Sequence, residues 1–190
     1  MTKAESGPVY DVFQVALGWC AAARGGKGVC AFVLPVQSAQ MAEAELLSVA
    51  KPGAPAPRRS PSALRPLAEA VERYFDGWTV KNFDKFSMDL SSGTAFQQRV
   101  WSVIGRIPYG QVRTYRWIGM EIGRPEAARA IGGAVGANPV PLLIPCHRVV
   151  GSDGSLVGFS ATGGIGLKMK MLEIEKVRLH QAGSRWRVMA

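Results

Sequence analysis

Histidine, cysteine and acid are all scarce in this 190-residue chain, which holds two His, three Cys and 14 Asp/Glu against 23 Lys/Arg. The two histidines, His147 and His180, stand in no His-x-x-x-His or Cys-x-x-Cys spacing, so a zinc site lacks ligands at its usual intervals and no metal is expected. Cys20, Cys30 and Cys146 are odd in number and irregular in spacing. That excludes a disulfide scaffold and points to a reducing compartment, cytoplasmic or, in a eukaryote, nuclear. No stretch approaches the roughly 18 apolar residues of a membrane span. Residues 1–24 do not read as a signal peptide, because Glu5 and Asp11 precede the apolar stretch and no unbroken apolar core follows.

The shortage of acid is confined to one half. Residues 1–91 carry 10 Lys/Arg against 9 Asp/Glu, whereas residues 92–190 carry 13 against 5. Most of the net charge of +9 therefore belongs to the C-terminal half, and an anionic partner is expected there. At 47% hydrophobic residues the chain can build one core or two small ones.

Residues 10–23 and 28–35 are apolar and rich in β-branched and aromatic residues, and the glycine-rich run 24–28 between them predicts a hairpin. Residues 38–50 predict a helix capped by Ser38. Residues 51–66 hold five of the twelve prolines and predict an exposed loop. Leu64, Leu67, Val71, Tyr74 and Phe75 then recur at helical spacing up to Gly77, and residues 83–90 predict an extended segment. A second unit is expected from Ser91. Thr94 caps a helix through Phe96, Val100, Val103 and Ile104, and Pro108-Tyr109-Gly110 is a turn.

Thr114 next caps a helix through Tyr115, Ile118 and Ile122, closed by Gly123. Pro125 is expected at the first position of a second helix, over about residues 126–135. The pair has the helix-turn-helix pattern. Its second helix carries Ala127, Ala128, Arg129, Ala130, Ile131, Gly132, Gly133 and Ala134. Readers of base edges in the major groove need several Asn, Gln, Lys or Arg, and this helix has one arginine on a smooth surface. Close backbone approach with a single probing arginine suits sequence-independent minor-groove binding with base extrusion.

Downstream lies Ile144-Pro145-Cys146-His147-Arg148-Val149, shortly after Asn138-Pro139. A thiol becomes a strong nucleophile when a base draws off its proton. In an extended strand Cys146 and His147 would point to opposite faces, so the pair requires irregular backbone or a bridging water. An acid must orient His147, and the downstream candidates are Glu173 and Glu175.

These residues resemble one family, the O6-alkylguanine-DNA alkyltransferases or methylated-DNA–protein-cysteine methyltransferases. The matching stretches are Gly93-Thr94-Ala95-Phe96-Gln97 to Val100-Trp101, Ile107-Pro108-Tyr109-Gly110, Thr114-Tyr115 with Ile122-Gly123 and Pro125, Arg129-Ala130-Ile131-Gly132, Asn138-Pro139 and Pro145-Cys146-His147-Arg148-Val149. The likeness is dense over about residues 90–176. It implies an N-terminal α/β structural domain with a ribonuclease-H-like sheet over residues 1–90. A mostly α, helix-turn-helix (winged-helix-like) domain over residues 91–180 and a tail over 181–190 would follow.

The resemblance also implies the roles. Cys146 would accept an alkyl group from O6-alkylguanine, and from O4-alkylthymine as a further substrate, once per molecule. His147 would be the base, acting through water. Spacing from Lys168 selects Glu175 to orient it. Asn138 would brace the turn, and Tyr115 and Lys168 would neutralise the departing guanine. Arg129 would fill the gap in the DNA stack, with Thr114, Tyr115, Ala127, Ala130, Gly132 and Arg148 along the DNA. Val149, Phe159 and Ser160 would line the pocket for the flipped base. No cofactor is implied; the partner is duplex DNA carrying the lesion, bound by a monomer, with cooperativity on DNA left open. The segment from Phe159 to Lys168 is about two residues longer than the family pattern. The alternative is a non-enzymatic, alkyltransferase-like protein that binds lesions without repairing them.

Overall fold

A computed structural model describes residues 7–49, 56–80 and 83–189. Three strands open the chain: β1 (Val9–Val15), β2 (Gly18–Gly25) and β3 (Gly28–Val36). The apolar run expected as one strand over residues 10–23 is therefore two strands. The chain reverses at Ala16-Leu17, and Gly18 adopts φ +134°, where a Cβ would sit 2.3 Å from the Val36 carbonyl oxygen. Ala and Leu give no turn signal, so the break was hidden. The expected turn after residue 24 does join β2 to β3.

Helix α1 (Ala39–Ser48) begins where Ser38 accepts a hydrogen bond from the Met41 N–H. The proline-rich stretch is shorter as a loop than expected. Pro52 and Pro55 fall outside the described residues, and Arg58–Arg59 form a short strand, β4, parallel to β1. Helix α2 (Pro61–Phe75) starts on Pro61 and carries Pro66 inside it. Pro61 suits the first helical turn, where its missing N–H has no partner to lose. Pro66 is tolerated because burial of Leu64, Leu67, Val71, Tyr74 and Phe75 holds the helix down. The sheet runs β3-β2-β1-β4, antiparallel except for β1 with β4. Residues 83–90 are not a strand: a turn occupies 84–86, and only Met88 bridges, to Val29.

Helix α3 (Ala95–Ile104) starts at Thr94 with a reciprocal capping box to Gln97. After β5 (Arg113–Thr114) come α4 (Tyr115–Glu121) and α5 (Ala128–Gly136). Pro125 is not the first residue of α5. It sits in the preceding turn, closed by the Ala127 N–H to the Arg124 carbonyl at 3.0 Å. That turn passes so close to α4 that a Cβ on Gly119 would meet the Arg124 carbonyl oxygen at 2.9 Å. The Trp101 indole N–H donates to the Ala134 carbonyl at 2.7 Å and locks α3 to α5. A 3-10 turn at Cys146–Arg148 leads into β6 (Val149–Val150), which pairs in parallel with β5. Helix α6 (Gly164–Ile174) follows. The expected tail is folded: β7 (Leu179–Ala182) and β8 (Arg185–Val188) form a hairpin.

One cluster of buried side chains runs from Phe13 and Phe32 through α2 and α3 to Ile144, Cys146 and Met171. Burial at about 25 cal/mol per Å² of apolar surface thus ties the sheet to the elements carrying the Cys-His pair. A hydrogen bond from the Phe32 N–H to the Pro139 carbonyl, 2.9 Å, adds a direct link. No described helix is long and apolar enough to cross a membrane.

Candidate active site

Residues 138–145 form a tight turn that delivers Cys146. Asn138 braces it twice: its side-chain amide donates to the Ile144 carbonyl at 2.8 Å, and its side-chain oxygen accepts from the Val140 N–H at 3.1 Å. Within the turn Leu142 has φ 75°, a left-handed conformation costing a β-carbon-bearing residue about 1–2 kcal/mol. Full burial of its side chain and the Asn138 brace hold it there.

Cys146 and His147 lie in the 3-10 turn rather than in an extended strand, so they are not forced onto opposite faces. Cys146 is 6% exposed and lines a cavity of about 670 Å³ with Asn138, Pro139, Phe159, Ser160 and Phe32. Burial pushes its thiol pKa upward, while a hydrogen bond with Asn138 and the charge of Lys168 pull the other way.

His147 is completely buried. Its Nε2 lies 2.7 Å from Glu175 Oε1. Burial lowers the His147 pKa despite that carboxylate, so the ring is neutral at physiological pH. A neutral ring donating from Nε2 to Glu175 has its basic lone pair on Nδ1. Nδ1 is buried and bonds no described protein group.

Glu175 is nearly saturated. It accepts from Arg148 Nε and Nη2, each at 2.9 Å, from the Tyr74 hydroxyl at 3.0 Å and from the Gly110 N–H at 3.1 Å. Burial alone would raise its pKa, but the hydrogen bonds and charges of His147 and Arg148 hold it at about 2. Gly110 reaches the carboxylate from a backbone at φ 74°, where a Cβ would press on the Glu175 carbonyl oxygen at 3.0 Å. Glu173 is exposed, so Glu175 is the carboxylate that faces His147.

Arg148 requires a correction. The expectation set it along DNA, yet it is 4% exposed, and its remaining donor, Nη1, reaches the Ile107 carbonyl at 2.6 Å. A guanidinium beside a buried carboxylate is held there by charge and bidentate geometry, and its burial keeps it from a phosphate at the surface.

Lys168 is also fully buried. Its ammonium donates to the Val149 carbonyl at 2.6 Å and the Val157 carbonyl at 3.2 Å. Burial lowers its pKa to about 8, with negative charge on Cys146 opposing the fall. The Tyr115 hydroxyl has its pKa raised, first by burial and then by Cys146, so it remains a proton donor. Val149 is buried, Phe159 is half-buried with Lys168 above its ring at 5.9 Å, and the Ser160 hydroxyl donates to the Gly136 carbonyl at 3.0 Å.

Away from the thiol, α4 and α5 present Arg129 and Ala130 as exposed residues, with Gly132, Ala127 and Thr114 half-buried. Thr114 caps α4, its hydroxyl accepting from the Trp117 N–H at 3.1 Å. Sequence reasoning missed Tyr74 and the Gly110 N–H as partners of Glu175. Tyr74 gave the available signal, since a tyrosine on the apolar face of a helix needs a partner for its hydroxyl.

Residues 95–177 match the family model described as 6-O-methylguanine DNA methyltransferase, DNA binding domain. The methylated-DNA–protein-cysteine methyltransferase of Haemophilus influenzae is 44% identical over 108 residues, 57% of this chain and 58% of that one. The protein of the same name from Mycobacterium tuberculosis is 46% identical over 118 residues, 62% of this chain and 68% of that one. A solved structure of Mycobacterium tuberculosis OGT in complex with DNA superposes with a TM-score of 0.72 at 35% identity, covering 88% of this chain and 92% of that one.

Proposed function

Because the chain belongs to the methylated-DNA–protein-cysteine methyltransferase family, we propose that it repairs duplex DNA by moving an alkyl group from guanine O6 to Cys146, once per molecule. The observation that carries this reading is a thiol on the wall of a cavity, backed by a neutral histidine whose partner is the saturated carboxylate Glu175.

The geometry supports the following steps. The Cys146 proton passes through a water to Nδ1 of His147, and Glu175 stabilises the imidazolium through Nε2. The thiolate attacks the alkyl carbon in line. A sulfur–carbon bond forms, the carbon–O6 bond breaks, and its electron pair leaves with guanine. Lys168, charged below a pKa of about 8, stabilises the thiolate; Tyr115 donates its own proton to the guanine anion and regains one from solvent, to which the imidazolium releases the thiol's proton. The thioether on Cys146 is stable, which accounts for a single turnover without a cofactor.

Exposed Arg129 on the small-residue surface of α5 supports its insertion into the stack left by the flipped base. Thr114, Ala127, Ala130 and Gly132 complete the minor-groove surface, and Val149, Phe159 and Ser160 the base pocket. The basic C-terminal half supports sequence-independent phosphate binding by a monomer, as lesions arise anywhere. We retain the division at residues 90/91 and the ribonuclease-H-like and winged-helix-like descriptions as part of this proposal. They are supported by a mixed N-terminal sheet and a helix pair with an adjoining hairpin.

The test is mass spectrometry after mixing the protein with duplex DNA carrying one O6-methylguanine. The expected result is one methyl on the Cys146 peptide and none on C146A, which still binds DNA. Retained lesion binding with a free, unmodified Cys146 would replace this reading with non-enzymatic lesion recognition.

A further inference from the structure

We infer that the hairpin β7–β8 is a second phosphate-binding surface, which grips duplex DNA beside the helix-turn-helix. The inference rests on the reading of α4 and α5 as a DNA-binding pair. It concerns residues 178–189, which lie past the matched segment 95–177.

Strand alternation separates the hairpin into two faces. Leu179 pairs with Val188, His180 with Arg187, Gln181 with Trp186 and Ala182 with Arg185. Leu179, Trp186 and Val188 therefore share one face, and all three pack on Val150, Leu156 and Leu172. His180, Arg185 and Arg187 share the other face. Arg178 continues it one step earlier, where its carbonyl accepts from the Met189 N–H at 2.9 Å. The hairpin is docked by backbone as well: the Leu156 N–H donates to the Trp186 carbonyl at 2.9 Å, and the Val188 N–H to the Gly154 carbonyl at 3.0 Å.

Its charge has one sign. Residues 176–190 contain Lys176, Arg178, Arg185 and Arg187 and no Asp or Glu, four of the cations behind a chain total of +9. Asp153, on the neighbouring loop, engages Arg187 at 3.0 Å. Arg178 and Arg185 are exposed and make no ion pair among the described residues. Arg178, Arg185 and Arg187 lie along one face and repel one another there, and the apolar face is already used for docking. A polyanion along the outer face relieves that repulsion.

The position fits the same partner. Val112, which packs on the cluster under the hairpin, immediately precedes β5, and Val150 pairs with Thr114, the N-cap of α4. The hairpin thus stands on the two-stranded ledge from which the first helix of the pair departs. A duplex lying on α4 and α5 extends past that ledge.

The test compares wild type with R178Q/R185Q, and with R178K/R185K as the charge-conserving control. Affinity for an unmodified duplex is measured across a salt series, and transfer from free O6-benzylguanine is measured in parallel. Each phosphate that the protein no longer neutralises lowers the slope of log affinity against log salt by about 0.9, so the glutamine variant should lose about 1–2 in slope. Free-base transfer should be unchanged, the lysine variant should keep the wild-type slope, and Trp186 emission should show the hairpin still docked. Equal slopes for wild type and the glutamine variant overturn the inference, as does a lysine variant that loses slope as the glutamine variant does. A wild type that transfers no alkyl group yet shows the slope difference overturns the catalytic reading and supports the hairpin surface.

Discussion

Glu175, His147 and Arg148 are shut off almost entirely from solvent and bonded through the Glu175 carboxylate, whereas Arg129 projects from α5 with no ion pair among the described residues. Both regions are polar, and both belong to the matched segment. In the first, a carboxylate receives five hydrogen bonds from four residues, so its geometry is fixed before any substrate arrives. In the second, the helix keeps small side chains and its one long cation joins no ion pair among the described residues. A proton relay gains from preorganisation, since each bond made in advance need not be made in the transition state. A surface that must meet any sequence gains from having nothing to satisfy beforehand.

The comparison breaks most visibly at Glu175. In E175Q the guanidinium of Arg148 stays buried without its charge partner, which costs about 3–5 kcal/mol, readable as a lower urea midpoint. The acid limb should change with it. The Glu175 carboxyl is held at about 2, below its ordinary 4.5. The wild type therefore keeps this contribution above pH 4.5 and loses it as pH falls through about 2. The glutamine variant, with no carboxylate there to protonate, should lack that part of the acid dependence. Transfer should fall sharply in parallel, because His147 loses the carboxylate charge that stabilises its imidazolium. A variant as stable as wild type, with the same acid limb, would show that the cluster is not what holds the turn.

How much of this was legible follows the same division. The caps at Ser38, Thr94 and Thr114 announced their helices because side-chain oxygens next to apolar periodicity have one main use. The Cys-His pair stood out because a nucleophile beside a base is a poor way to fill apolar space, although both side chains are buried. Three features were not legible. The reversal at Ala16-Leu17 carries no turn residue and is set by the pairing of β1 with β2. Pro66 lies inside α2, since burial of one helical face outweighed its local preference. Arg148 reads as a surface cation until the fold brings Glu175 to it across 27 positions, a tertiary pairing that no local pattern records. In the exposed half of the comparison the exposure of Arg129 was legible, because it stands among alanines and glycines that offer it no partner.

A smaller effect is expected at Asn138, which links the two regions by bracing the chain between α5 and Cys146. N138A leaves the Val140 N–H without its side-chain partner, leaves the Ile144 carbonyl with only the Cys146 N–H, and no longer restrains Leu142 at positive φ. The expected loss is about 1–3 kcal/mol, measured by chemical unfolding, with slower transfer to both duplex and free-base substrates because the thiol itself is displaced. Slowing confined to duplex DNA would place Asn138 with the DNA surface instead of with the turn.

The smallest effect on stability and the largest contrast between substrates are expected at Arg129. Its side chain is exposed and joins no ion pair among the described residues, so R129A should change stability by no more than about 0.5 kcal/mol. In duplex DNA, extruding a paired base costs a few kcal/mol, and a side chain that fills the vacated stack offsets part of it. Losing that share slows transfer about tenfold for each 1.4 kcal/mol. Free O6-benzylguanine has no stack to leave and reaches Cys146 through the same cavity, so its transfer rate should not move. The ratio of the two rates isolates extrusion from chemistry, since folding, thiol activation and proton return are common to both. A ratio equal to that of wild type would remove Arg129 from the mechanism and leave the smooth face of α5 as a packing surface only.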